Sequence, residues 1–344
     1  MNRGLFRVCL LAVPAVMIIV LGGCSLMGEP RVRLGCYATS TPGTRFIDDK
    51  GLGSHNYDNL FGEGNGIAYT CNGGHIDIAH LRIGADNTRW LYYKMYHCIA
   101  AHEKGFTYGL NVDRSVYYVT MKYPDNWNLL KLEEKKKIAQ EVSLECAQYL
   151  TFTMTTWHEV LTWYGFKTMG VVPETPSAFS WEDVYSNLLG TRLGAEALQD
   201  KNHKYNEAMT IALNNEMSLL GIQSHKVAYD AAEKMRGKWF TGTIDVDMIE
   251  RNFDIGLDDG MVTPMLVPGI CPDQNPKLYP VPTLKKTEEL GFNVALEIEP
   301  HEFEKGKILK IVYADGKGTR IKPDLQMAGI IEQLKLEQKQ MHKK

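Results

Sequence analysis

The segment from Leu132 to Tyr164 predicts one continuous helix, with Gly165 as its stop. At 1.5 Å per residue it would run roughly 50 Å, enough to cross a whole domain, so the rest of the chain must be arranged around it. Its opening, KLEEKKK, is a solvated face. Its second part, CAQYLTFTMTTWHEVLTWY, is apolar nearly all round and has to be buried. That buried half carries His158 and Glu159, and a carboxylate in an apolar setting needs a partner or a proton.

The flanking segments supply material to pack against this helix. GIAYTC, residues 66–71, is a short apolar run closed by Asn72-Gly73-Gly74, which suits a strand and a turn. Asp86-Asn87-Thr88 offers N-cap chemistry for a helix through TRWLYYKMYHCIAAHEK that Gly105 ends. FTYGLNV and SVYYVTMKY, rich in aromatic and β-branched residues, predict a hairpin. Ser180 and Asp183 form a capping-box variant opening the helix WEDVYSNLLGTRLGAEALQ. Two more helical stretches follow, NEAMTIALNNEMSLLG and SHKVAYDAAEKMRG, and the proline-rich stretch 261–282 then predicts extended, surface-hugging chain. FNVALEI and KILKIVY predict a second hairpin, and Met327, Ile330, Ile331 and Leu334 mark a last helix before a basic tail. No repeat and no clean linker emerges. The expectation is an α+β chain, a helix-rich single domain over residues 66–344 with a long central helix and a minority of β-hairpin strands, preceded by a tether and irregular arm at 24–65.

Residues 1–23 have the order of a secretory leader: Arg3 and Arg7, an apolar run from Val8 to Leu21, then small residues. The run is about 14 residues, short of the roughly 20 that span a bilayer. The tetrad Leu21-Gly22-Gly23-Cys24 resembles the lipobox of bacterial lipoproteins, which implies cleavage before Cys24 and acylation of its thiol. On that resemblance the protein is held to the lipid bilayer through Cys24. Ser25, where retention in the inner membrane usually has Asp, implies an outer-membrane lipoprotein facing the periplasm.

Removing the leader takes two arginines and no acid, so the net charge moves from −3 to −5 and nucleic acid is not a partner. The remaining chain is long enough for a real core. Five cysteines remain in the body: Cys36, Cys71, Cys98, Cys146 and Cys271. An odd number leaves at least one thiol unpaired in the monomer, and spacing alone does not fix connectivity.

GIAYTCNGGHIDIAHLR, WHEVLTWYG, FSWEDVYSNLLG and RNFDIG followed by VTPMLVPG resemble an uncharacterised family of bacterial lipoproteins known only as a domain of unknown function. The resemblance runs from about residue 33 to the end. It implies one domain and brings no activity.

The polar residues concentrate in two places, Cys71 with His75, Asp77, His80 and Arg82, and His158 with Glu159. Three readings stand. In the first, His75, His80 and His158 hold a divalent metal such as zinc, with Glu159, His80, Asp77 and Arg82 as the catalytic set of a metal-assisted periplasmic hydrolase. His158-Glu159 opens like HExxH, but Thr162 stands where the second histidine belongs. In the second, Cys71 is a nucleophile with His80 as base and Asp77 or Glu159 orienting it. In the third, Arg82 pairs with Glu159 across the core, His80 and Asp77 are hydrogen-bonded beside them, and the protein is a non-catalytic binding or assembly lipoprotein. Trp157, Trp163, Tyr164, Trp181 and Tyr185 are core aromatics that together would also suit a cleft for a cell-envelope peptide or sugar.

Overall fold

The computed structural model describes residues 28–341 apart from 111–112, 166, 169–171, 174–176 and 244–245. The leader, Cys24 and the last residues of the basic tail lie outside the described residues. The long helix forms as its sequence predicts, as Leu132–Trp163 (α2). Glu134 accepts the Lys131 N–H at 2.9 Å and so satisfies one backbone donor at its entry. Its second half, from Leu150 to Trp163, is almost wholly buried.

Helix Ile78–Ala100 (α1) packs against both α2 and helix Asp183–Gln199 (α3), and these three make the centre of the molecule. The crossing of α1 with α3 is close because small residues face each other there. A Cβ placed on Gly190 would lie 1.8 Å from the Leu81 carbonyl oxygen, and one on Gly194 would lie 2.7 Å from the Ala85 backbone. No side chain fits between the two backbones, so SNLLGTRLG is a packing surface rather than a weak helix. Helices Tyr205–Leu220 (α4) and His225–Lys234 (α5) follow, α4 ending at Gly221 in the left-handed conformation with φ 76°. Short helix Lys285–Glu289 (α6), Lys305–Val312 (α7) and Pro323–Met341 (α8) complete the chain, with Met327, Ile330, Ile331 and Leu334 all buried on α8.

The strands are few and antiparallel. Ile67–Thr70 (β1) pairs with Gly74–Asp77 (β2) in a hairpin that ends where α1 begins. Gly105–Gly109 (β3) and Val116–Lys122 (β4) form the second hairpin, and the strand Asn293–Glu299 adds to the free side of β4. The structure is thus the helix-rich α+β fold expected, with two local corrections. KILKIVY is not the partner of FNVALEI: it lies in α7, and Asn293–Glu299 finds its partner in β4. Ile308 is the buried side chain of α7, so a helix satisfies it as well as a strand would, and β4 had an open edge to offer. α1 begins at Ile78, eight residues before the proposed cap that starts at Asp86. Asp77 is the N-cap, accepting the Ala79 N–H at 2.7 Å, while Asn87 and Thr88 bond back to the carbonyls of Ile83 and Gly84. Asp86 is taken by Arg33 and His55, and the other two side chains bond within the helix, so none of the three interrupts it.

The arm before β1 is irregular but is built into the body. Ile47 and Leu52 belong to the main core, and Ala38 belongs to a second cluster around Tyr69, Trp181 and Phe240. Cys71 and Cys271 form a disulfide that ties the β1–β2 turn to the proline-rich stretch, 200 residues away in sequence. Cys36, Cys98 and Cys146 are free. Among the described residues no helix is long and apolar enough to cross a membrane.

Two outcomes are expected. Gly190→Ala should lower unfolding free energy in urea by about 3 kcal/mol, the upper end for overpacking, because backbone rather than a movable side chain occupies the space. Peptide mapping without reductant should recover Cys71 joined to Cys271 and alkylated Cys36, Cys98 and Cys146, and Cys271→Ser should cost about 2–5 kcal/mol.

Candidate functional site

The end of β2 and the start of α1 place Asp77 and His80 one turn apart, and the entry of α3 brings Asp183 against them. His80 Nδ1 lies 2.9 Å from Asp77 Oδ2 and 3.1 Å from Asp183 Oδ1. Burial alone would favour the neutral ring, but the carboxylates of Asp183 and Asp77 outweigh it and hold the imidazolium well above its usual range. His80 is therefore a cation clamped between two acids at neutral pH. Asp183 is fixed from its other side, where Oδ2 accepts the Ser180 hydroxyl at 2.8 Å. The expected Ser180–Asp183 interaction is present, as a brace for His80 as well as a helix start.

The arm closes over this group. The Cys36 N–H donates to Asp77 Oδ2 at 2.8 Å, and the Ala38 N–H donates to Glu182 Oε1 at 2.5 Å. A Cβ on Gly35 would lie 2.5 Å from His80 Cε1, so glycine there lets the arm lie flat on the ring. Burial and then the neighbouring Asp183 charge push the Glu182 carboxyl well above the ordinary carboxylate range. The Cys36 thiol is half-buried beside the same groups. Burial and Asp77 raise its pKa, with His80 opposing, so the thiolate that a nucleophile requires is disfavoured.

Arg82 and Glu159 do not meet as a pair. Arg82, fully buried, donates to the carbonyls of Gly64 and Leu52 at 2.8 and 2.7 Å and to Asn65 Oδ1 at 2.8 Å. Its nearest carboxylate is Glu63, 3.8 Å from Nε. Glu63 belongs to a second buried network: it pairs with Arg31 and with Arg33 at 2.9 Å, while Arg33 reaches Asp86 at 2.5 Å and Asp86 reaches His55 at 2.9 Å. Burial works against ionised Glu63, but Arg33 beside it more than compensates and brings the carboxyl down to about 2.

Glu159 instead serves the turn before α3. Its Oε2 accepts the Phe179 N–H at 2.8 Å. Phe179 has φ 52°, a left-handed conformation unusual for an aromatic residue, and its carbonyl takes the Asn252 N–H at 2.9 Å. Pinned from both sides, this turn leads into the segment that sets Asp183, braced by Ser180, against His80. Arg251 lies close enough for Glu159 to offset part of its burial. Glu159 is thus a positioning residue one step removed from His80.

The remaining expected residues separate. His75 stands apart, with Nε2 on the Ala228 carbonyl at 3.1 Å and Nδ1 accepting from Trp181 Nε1 at 3.3 Å. Both ring nitrogens are used, so it cannot join His80 on a metal, and burial lowers its pKa to about 4. His158 does approach His80; burial, and then the His80 charge, lower its pKa to about 4 as well. Among the described residues no three His, Cys, Asp or Glu side chains converge as a metal-ligand set. Cys71 is consumed by the disulfide. Neither Glu182 nor the arm residues 35–38 stood out in the sequence; the acidic pair in SWED at a helix entry was the available signal, whereas the arm offered none.

If Arg82 and Glu159 serve separate networks, Arg82→Gln and Glu159→Gln should act independently. A double-mutant cycle in urea should return a coupling below about 0.5 kcal/mol, with Arg82→Gln alone costing about 3 kcal/mol because Glu63 loses a buried neighbour. A coupling above about 1 kcal/mol would restore the direct pair.

No match was found among curated proteins or solved structures. One family does match, over residues 43–260, which spans β1 through α5 and holds Asp77, His80, Glu159 and Asp183. On that match the chain belongs to DUF4056, a family of proteins of unknown function.

Proposed function

We propose that this protein is an envelope lipoprotein, tethered through acylated Cys24 in the outer membrane and facing the periplasm, that works as a binding or assembly module rather than as a hydrolase. One observation carries this reading: the polar centre is spent on holding the chain together. His80 is clamped by Asp77 and Asp183, and Asp77 together with Glu182, the residue before Asp183, accepts backbone N–H groups of the arm. Both carboxylates take the same ring nitrogen, Nδ1, and Gly35 of the arm lies against the Cε1–Nε2 edge, which leaves about 20% of the side chain exposed and narrows the approach that a catalytic imidazole needs. Two surface hollows lie elsewhere. One of about 700 Å³ is walled by Trp163, Tyr164, Lys307, Lys310, Gln333 and Glu337, and a smaller one of about 200 Å³ includes Arg192 and Pro280. The larger hollow joins two of the aromatics singled out in the sequence to two lysines, a lining that suits an envelope peptide or sugar bearing negative charge.

The clamp has a pH signature. A histidine whose folded pKa is raised contributes fully below its unfolded value, near 6.5, and that contribution is lost as pH rises through the folded pKa. His80→Gln should therefore cost about 2–3 kcal/mol at pH 6 in urea melts, and the difference from the parent should shrink as pH rises. A variant as stable as the parent, or more so, would indicate a residue held for chemistry and overturn the structural reading.

A further inference from the structure

We propose that the corner formed by Val32, Leu34, Leu60 and Phe61 is a membrane-docking surface that sits in the lipid leaflet carrying the acylated Cys24. The inference rests on the lipoprotein reading above and adds to it an orientation of the body on the bilayer.

The corner is apolar and exposed where a soluble surface would be polar. Leu60 is 69% exposed and Phe61 84%, and on the adjoining arm Val32 and Leu34 are 49% and 66% exposed. Their neighbours explain why they face outward. Arg31 and Arg33 alternate with them and turn inward to Glu63 and to the Asn56 carbonyl, which fixes Val32 and Leu34 on the opposite side of the arm. The loop that carries Leu60 and Phe61 is stiff. The Ser54 N–H donates to the Gly62 carbonyl at 2.8 Å and the Gly64 N–H to the Leu52 carbonyl at 2.9 Å, closing its base. Within it, Asn56 Oδ1 accepts the N–H groups of Asp58 and Asn59, and Asn59 Oδ1 accepts that of Phe61. Holding two large apolar side chains in water on a rigid loop is unfavourable unless they enter an apolar phase.

The position of the anchor identifies that phase. The Tyr57 hydroxyl donates to the Gly28 carbonyl at 3.0 Å, so the chain leaves the body at the foot of this same loop. Cys24 is four residues before Gly28. Four extended residues reach at most about 14 Å, so an acyl group buried in the leaflet brings the loop to the headgroup level. The loop also has basic company besides its own exposed Asp58: the Tyr57 N–H donates to Asn206 Oδ1 at 3.1 Å, and exposed Lys201 and Lys204 lie on the turn leading into that residue. Exposed apolar side chains on a loop with lysines on the adjoining turn match the boundary between acyl chains and anionic headgroups.

The test uses the mature lipoprotein reconstituted into vesicles of phosphatidylethanolamine and phosphatidylglycerol with brominated acyl chains. Phe61→Trp places an indole on the loop, and Leu129→Trp places one at a site that is 85% exposed near the C-terminal end of α1, where Tyr123 bonds the Cys98 carbonyl, whereas the corner meets α1 at Asp86 and Arg89. After subtraction of the parent signal, the indole at 61 should lose about half of its emission to the bromines, since interfacial side chains sit about 5–10 Å deep, and the one at 129 should lose none. Equal responses at the two positions, with both quenched freely by aqueous acrylamide, would overturn the docking surface. Mass analysis of the N-terminus separates the two claims. An acylated Cys24 with no quenching at 61 removes the corner alone, whereas an unacylated N-terminus removes the lipoprotein reading and the corner with it.

Discussion

The carboxylate of Asp77 joins the start of α1, the His80 ring and the N-terminal arm at a single group. One oxygen caps α1 at the Ala79 N–H; the other lies against His80 and accepts the Cys36 N–H. Helix start, partly buried cation and N-terminal arm therefore share one carboxylate. The β1–β2 hairpin delivers Asp77 to this point, and the glycine crossing of α1 with α3 brings Asp183 to the far side of His80. Each contact is modest alone. Buried and sharing partners, they polarise one another, and losing one member leaves a charge without compensation.

α1 distributes its polar residues between two separate networks. Asp77 and His80 face α3 and the arm at residues 35–38, whereas Arg82 and Asp86 face residues 31–33 and 52–65. The arm thus meets the same helix twice, held by the Cys36 amide on Asp77 at one place and by the Arg33–Asp86 ion pair at the other. That explains why a segment with almost no regular secondary structure contributes Ile47 and Leu52 to the core. His75 and His158, by contrast, are kept neutral by burial, which assigns them to packing and leaves His80 as the charged ring of this region.

The long helix and most of the elements around it were legible in the sequence because hydrophobic periodicity is a local property. α2, α4, α5, α8 and the β3–β4 hairpin follow their patterns closely. α1 and the segment KILKIVY departed from theirs, since Asp86, Asn87 and Thr88 found partners that removed their preference for a helix end, and the open edge of β4 took the strand that KILKIVY was expected to pair.

The sequence alone determined that Glu159 and Arg82 could not stay buried without partners, because the cost of an uncompensated charge in an apolar setting does not depend on the fold. Which partners they would find was decided only by tertiary structure. Glu159 was taken by a backbone N–H in the strained turn at Phe179, and Arg82 by the carbonyls of an arm that lies up to 30 residues earlier in the chain. The same holds for the disulfide: composition required an odd thiol to remain, while the choice of Cys71 and Cys271 needed the hairpin turn and the proline-rich stretch to meet. The cost of taking a charge out of water follows from the chemistry of its side chain; directed bonds depend on positions in space, and those are set by how the helices close on one another.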